Sequence, residues 1–199
     1  AHYCPKYNHW PPQILGRFQH FVSKKAMNID SLGAERIKIL FSANLLKDFS
    51  SFYQLKQEDL IGLASFDKEN KASIQEKGAN NIIQAINKSK EVEFEKVLYA
   101  LGIRYVGEVT AKRLATTFQN IESLIKASKE ELLSVEDVGE RIANSIIDYF
   151  SREENLALIS QLKDLGLQFE TKQTQKASNK LEGKSFVVSG TFTNFSREG

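Results

Sequence analysis

Three glycines in this chain stand beside basic side chains, and the combination suits the binding of phosphate. Gly33, Gly107 and Gly139 each follow an apolar residue and begin a segment with helical periodicity. The N-terminus of a helix presents unpaired N–H groups and a positive dipole end. A glycine at a turn permits positive φ and close approach of another backbone. The flanking basic residues are Arg36 and Lys38, then Arg104, Lys112 and Arg113, and finally Arg141.

A simpler interpretation applies to any one of these turns. The glycine would only mark the end of a helix, and the arginines and lysines would be a solvated face. Repetition of the same arrangement in register favours the phosphate-binding interpretation.

The clearest repeat lies between Leu98 and Phe150, where one pattern occurs twice with a spacing of 32 residues. Each copy reads as a helix end, a tight apolar-glycine turn and a second helix whose apolar residues share one face. This is the sequence form of a helix-hairpin-helix motif. The first copy comprises Leu101, Ile103, Val106, Gly107, Ala111, Leu114 and Phe118, and the second Leu133, Val135, Val138, Gly139, Ala143, Ile146 and Phe150.

The same frame fits twice more upstream. Around Gly33 the matching residues are Met27, Ile29, Leu32, Ile37 and Leu40. A stretched copy has Ile61, Leu63 and Phe66 before the turn, Asp67 in place of glycine, a polar insert over Lys68 to Gln75, and Ala79 and Ile82 after it. We therefore predict four tandem hairpins. Two such units side by side can hold phosphates of both strands across a minor groove without reading bases.

Composition narrows the class of protein. The 199 residues allow one or two domains, and 41% hydrophobic content allows a core. The net charge of +2 does not indicate nucleic-acid binding, so that prediction depends on local placement. No apolar run approaches a membrane span, and no signal peptide precedes the first motif. A single cysteine excludes an internal disulfide framework and agrees with a reducing, cytoplasmic setting.

Two further clusters have alternative interpretations. Cys4 is a candidate zinc ligand, with His9 and His20 as possible further ligands, but these three residues do not complete a tetrahedral site. Taken alone, Cys4 is a bystander thiol. The aromatic residues between Phe41 and Leu60 suggest either a base-stacking surface or a core, and their helical spacing favours the core.

The order of motifs resembles the NAD-dependent DNA ligases of bacteria. The similar segments are His20-Phe21-Val22-Ser23, Ala26-Met27-Asn28-Ile29, Leu32-Gly33, Ser89-Lys90 and the run from Leu98 to Lys112. They cover nearly the whole chain in the family's order.

The resemblance implies a domain plan. The fold is expected to be mainly α, with a partial zinc-finger segment at 1–22, four helix-hairpin-helix motifs at 23–169, a linker at 170–179 and the truncated start of a BRCT domain at 180–199. Cys4 matches the finger's third ligand, whereas Trp10 stands at the fourth. Phe186, Val187 and Val188, followed by Ser189-Gly190, resemble the first BRCT strand and its turn.

The repeats and the resemblance together give a set of candidate DNA-binding residues. For Lys88 and Lys90, which end the amphipathic segment beginning at Ala79, a solvated helix end is the alternative. The set is Leu32, Gly33, Arg36, Lys88, Lys90, Arg104, Val106, Gly107, Lys112, Arg113, Val138, Gly139 and Arg141, with Cys4 as the metal candidate.

The sequence carries no recognisable catalytic motif. Ligases of this family take AMP from NAD on a Lys-X-Asp-Gly lysine, and Lys163-Asp164-Leu165-Gly166 has those letters in the wrong arrangement at a predicted helix end. There is no dinucleotide fingerprint, Walker loop or metal-spaced carboxylate cluster. We expect an inactive, monomeric, DNA-gripping part of an enzyme that seals nicks in replication and repair.

For the whole enzyme the resemblance implies NAD, zinc and magnesium, none held firmly here. The alternative function is a stand-alone helix-hairpin-helix adaptor of a junction-processing or nuclease complex. A third, weaker idea is a protein-interaction scaffold that uses the BRCT end.

Overall fold

A computed structural model describes residues 11–64 and 73–172. Those ranges are mainly α, as predicted, with isolated bridges Ala64–Ser73 and Asn120–Glu170. Cys4, Trp10, Phe66, Asp67 and the predicted BRCT segment 180–199 lie outside them. The helices are α1 (Pro11–Val22), α2 (Ala34–Ser42), α3 (Ser51–Gln54), α4 (Gln57–Leu60), α5 (Glu76–Ser89), α6 (Phe94–Ala100), α7 (Glu108–Phe118), α8 (Ile121–Lys126), α9 (Lys129–Leu133), α10 (Glu140–Phe150) and α11 (Glu153–Asp164).

Four pairs of helices pack together. In three of the pairs a predicted glycine turn joins the two helices, whereas the predicted turn of the other pair, at Phe66 and Asp67, lies outside the described residues. Hairpin 1 consists of α1 and α2, hairpin 2 of α4 and α5, hairpin 3 of α6 and α7, and hairpin 4 of α9 and α10. The short helices α3 and α8 pack on α5 and α7, and α11 packs on α10. None of the helices in the described ranges is long and apolar enough to cross a membrane.

The first helix of hairpin 4 differs from its counterpart in hairpin 3. Leu101 is fully buried, but Leu133, its predicted equivalent, is 38% exposed, and Leu132 is buried instead. The predicted equivalence of Leu101 and Leu133 in the repeat therefore does not extend to their burial. The two helices also end differently. Leu101 and then Gly102, with φ 69°, follow α6, whereas Ser134, at the repeat position of Gly102, has right-handed helical φ and ψ.

An aromatic core joins α1 to the segment around α3. The Phe21 ring stacks on Phe49 with centroids 4.3 Å apart, and the Phe18 ring meets Phe52 edge-on at 5.4 Å. All four side chains are buried, so the core interpretation of this aromatic cluster is confirmed. Although α1 falls within the predicted segment 1–22, its side chains lie in the same core as the hairpins.

The insert of hairpin 2 is closed at its base by two backbone hydrogen bonds. The Gly62 N–H donates to the Ile74 carbonyl at 2.9 Å, and the Ile74 N–H donates to the Leu63 carbonyl at 2.7 Å. The Ile74 side chain is buried. Ile74, within the insert, is therefore attached to the core and to the chain that precedes the turn.

The predicted stop of the last helix at Gly166 is confirmed. Gly166 has φ 94°, its N–H bonds to the Lys163 carbonyl at 3.0 Å, and the Leu167 N–H bonds to the Leu162 carbonyl at 3.1 Å. This is a Schellman motif. The chain then returns to the segment between α7 and α8, where the Thr171 N–H donates to the Gln119 carbonyl at 2.7 Å. The first residues of the predicted linker 170–179 are thus attached to the fold.

Truncation of the aromatic core tests this packing. Phe21→Ala should lower the free energy of unfolding by about 3–5 kcal/mol, because it removes a fully buried ring and leaves a cavity. Urea denaturation of the full chain measures the change. Val109→Ala, at a side chain that is 61% exposed, is the control and should shift stability by less than about 0.5 kcal/mol. Equal effects from the two variants would contradict the described core.

Candidate nucleic-acid interface

The three glycines stand at the N-caps of α2, α7 and α10. Gly33, Gly107 and Gly139 have φ of −74°, −84° and −87°, with ψ between 173° and 178°. These are extended values that any residue adopts, so positive φ at these glycines, the reason suggested by the sequence, is wrong. The left-handed residue stands two positions earlier in each hairpin, at Ser31 (φ 70°), Tyr105 (φ 65°) and Asp137 (φ 61°).

Packing does not require a glycine at these positions either. A Cβ atom added to Gly33, Gly107 or Gly139 would meet no heavy atom within 4 Å. The helices that follow carry no side-chain cap, whereas the Asn120 side chain caps α8 by accepting from the Ser123 N–H. The helix starts of hairpins 1, 3 and 4 therefore combine open space with backbone donors that no N-cap side chain satisfies.

The apolar residue before each glycine anchors the turn. Leu32, Val106 and Val138 are only 4%, 7% and 5% exposed. Their side chains belong to the core, so these members of the predicted DNA-binding set can offer only backbone groups to a ligand.

Hairpins 3 and 4 hold each other's turns through residues at equivalent positions. Arg113 on α7 forms ion pairs with Glu136, at 3.4 Å, and with Asp137 in the turn of hairpin 4. Ser145 on α10, 32 residues after Arg113, donates a hydrogen bond at 2.8 Å to the carbonyl of Arg104 in the turn of hairpin 3. Arg113, predicted from sequence to bind DNA, therefore fixes the two turns side by side.

The Tyr105 ring contacts two of the predicted DNA-binding residues, Arg104 and Arg141. The Arg141 guanidinium lies 4.0 Å and the Arg104 guanidinium 4.6 Å from the centroid of the Tyr105 ring. Arg141 also donates a hydrogen bond to the Tyr105 hydroxyl at 2.6 Å. Sequence reasoning missed Tyr105. The available signal was a bulky aromatic residue at the repeat position that Asp137 occupies in hairpin 4.

A cleft of about 1200 Å³ opens beside this cluster. Arg17, Arg104, Arg141 and Arg152 line it, together with Gly107. Asp148, which also lines the cleft, pairs with Arg152 at 2.8 Å. The charged side chains of the lining are thus mainly basic, although the chain as a whole is nearly neutral.

An acidic residue near each helix start works against an anionic ligand, and each one has a lysine partner. Glu35 pairs with Lys38 at 2.8 Å, Glu108 with Lys25 at 3.0 Å and Glu140 with Lys129 at 3.8 Å. The Glu108 carboxylate raises the pKa of Lys25 by hydrogen bonding and charge attraction. These pairs offset the negative charge beside the backbone donors.

The remaining predicted residues lie apart from the cleft lining. Arg36 donates to the Ser31 carbonyl at 2.6 Å and so supports the turn of its own hairpin. The Lys90 ammonium lies 5.9 Å from the Tyr53 ring centroid, and its carbonyl accepts from Gln168 at 3.2 Å. Lys88 and Lys112 are exposed on α5 and α7.

Comparison with known proteins agrees with this architecture. Residues 96–159 match the helix-hairpin-helix motif family. Over 198 to 200 residues the chain is 46% identical to a DNA ligase of Flavobacterium johnsoniae, 45% to one of Christiangramia forsetii and 44% to one of Bacteroides fragilis. The chain matches one segment of bacterial DNA ligases. These matches cover 98–100% of the chain and 29% of each relative.

The resemblance to bacterial DNA ligases read from the sequence is therefore confirmed, and the stand-alone adaptor is not favoured. In the part of the chain that the structure describes, no group of three or more His, Cys, Asp and Glu side chains is placed to hold a metal ion. Cys4, the metal candidate, lies outside that part.

The ion pair between the hairpins provides a test of their mutual support. Arg113→Ala and Asp137→Ala, alone and combined, should show a coupling of about 0.2–1 kcal/mol in a double-mutant cycle on unfolding, because both groups are partly exposed. The matched control combines Arg113→Ala with Glu122→Ala, whose carboxylate pairs with Lys163 and not with Arg113. Additive effects in both cycles would contradict a stabilising ion pair between Arg113 and Asp137.

Proposed function

We propose that this chain is the non-catalytic, sequence-independent duplex-DNA-binding part of an NAD-dependent DNA ligase that seals nicks in replication and repair. The observation that carries the proposal is that Gly107 and Gly139 are N-caps with open space around them. They lie in two hairpins whose turns are linked by an ion pair and a hydrogen bond. The likeness to DNA ligases over the whole chain supports it.

The backbone donors at the start of α7 and α10 would bind phosphate oxygens. A glycine lets the DNA backbone approach these N–H groups where a side chain would keep it away. Because the contacts between hairpins 3 and 4 fix the two turns, the turns would engage phosphates of both strands across one minor groove. Arg104 and Arg141 would add charge without reading base edges, so binding would be independent of sequence.

The chemistry of nick sealing would belong to the rest of the enzyme. There, NAD would supply the adenylyl group to a lysine nucleophile, and magnesium would assist. Cys4 matches one ligand of the family's zinc finger, but Trp10 stands at the position of the fourth ligand, so the residues of this chain do not fit the zinc site. This segment would hold the duplex in position for that reaction, with no activity alone. We propose a monomer in the cytoplasm with nicked duplex DNA as its partner.

Bulky side chains at the two glycines test the phosphate contact. Gly107→Val and Gly139→Val should each weaken duplex binding about tenfold, because the branched side chain occupies the space through which a phosphate would approach. Unfolding free energy should change by no more than about 1 kcal/mol, since the extended backbone accepts valine and the Cβ meets no neighbour. Fluorescence anisotropy with a labelled nicked duplex gives the affinities.

Ser128→Val is the matched control for these variants. It places the same side chain at the N-cap of α9, where the Ser128 hydroxyl accepts from the Glu131 N–H, and it should cost stability without changing affinity. Wild-type affinity in both glycine variants would contradict the phosphate contact.

The salt dependence of binding tests the electrostatic part of the proposal. The log–log slope of the association constant against salt should steepen by about 0.9 for each phosphate neutralised. Arg104→Gln and Arg141→Gln should flatten it equally on duplexes of different sequence, whereas Lys126→Gln, at the exposed end of α8, should leave it unchanged. A flat wild-type slope or a strong base preference would refute the proposed function.

A further inference from the structure

Tyr105 occupies a backbone position that is costly for its residue type. Its φ of 65° lies in the left-handed region, which Gly, Asn and Asp adopt far more readily than bulky residues. The equivalent positions in hairpins 1 and 4 hold the small residues Ser31 and Asp137. A strained aromatic residue at this turn indicates that its side chain contributes something the smaller residues do not.

The Tyr105 ring contributes a surface against which two guanidinium groups lie. Arg104 and Arg141 come from different hairpins and lie 4.6 and 4.0 Å from the ring centroid. Because both lie against one ring, the two guanidinium carbons are at most about 9 Å apart, and their charges repel each other. Their attraction to the ring and the hydrogen bond from Arg141 to the Tyr105 hydroxyl oppose that repulsion. With the ring 38% exposed, the pair lies at the surface of the basic cleft.

We propose that Tyr105 is a positioning residue that holds Arg104 and Arg141 as one phosphate-binding pair, through which hairpins 3 and 4 engage the DNA backbone as a unit. The inference rests on the proposed function and deepens it. A backbone phosphodiester is the fitting ligand, because its negative charge relieves the repulsion between the two guanidinium groups. Its oxygens also match the donor geometry of arginine.

Preorganisation explains why a positioning residue matters here. A free arginine side chain loses rotamer entropy when it is fixed on a phosphate. Stacking on Tyr105 removes part of that freedom before DNA arrives. It also couples the two arginines, so that loss of the ring should disturb both contacts together.

The experiment measures binding of the 199-residue chain to a labelled nicked duplex across a salt series, with urea unfolding alongside. Tyr105→Asn accepts the left-handed backbone but removes the ring, so stability should hold while affinity falls about tenfold. The salt slope should flatten by about 0.9 or more. Tyr105→Phe keeps the ring and should bind within about threefold of wild type. Arg141→Gln should add little to Tyr105→Asn, since both act on one pair.

Each outcome separates this inference from the proposed function. If Tyr105→Asn had wild-type affinity and a wild-type salt slope, or if its effect were fully additive with that of Arg141→Gln, the positioning role would be overturned. The proposed duplex-binding function would remain intact. A fall in stability without a change in affinity would assign Tyr105 to packing and overturn it as well. Absence of binding by the wild-type chain would refute the proposed function, and this inference with it.

Discussion

The structure depends on one constraint, which is that a short helical hairpin cannot bury its apolar face alone. Helices of the length of α6 and α9, with 7 and 5 residues, are not stable in isolation and need a packed neighbour. Hairpins 3 and 4 meet this need by joining one continuous core. Their turns then lie close enough for Arg113 to reach Asp137. The arrangement of the turns is therefore a consequence of burial.

The electrostatic character of the surface follows from placement and not from the overall charge. The chain carries a net charge of only +2, yet four arginines line one cleft beside Gly107. Interactions between exposed charges fade beyond about 10 Å at moderate salt, so a local cluster decides what an approaching phosphate experiences. The lysine partners of the three glutamates near the helix starts act within the same distance.

Much of the fold was predictable because the local spacing of apolar residues along the chain determines it. The helices after Gly33, Gly107 and Gly139, the aromatic core and the stop at Gly166 all rest on side-chain spacing or on a single backbone preference. The exposure of Leu133 was not predictable, because Leu132 and Leu133 are adjacent apolar residues and their spacing does not say which of them is buried. The sequence also suggested the wrong reason for the glycines, since the backbone reversal lies two residues earlier.

The functional side chains were harder to predict than the turns, because their roles depend on contacts between hairpins. Arg113 and Arg141 both looked like phosphate ligands, but one of them pairs with acids across the hairpin boundary and the other stacks on Tyr105. Periodicity carries no information about which arginine meets a carboxylate and which meets a ring. That difference matters physically, because the acidic partners of Arg113 lower the net charge around it, whereas a guanidinium on an aromatic face keeps its charge.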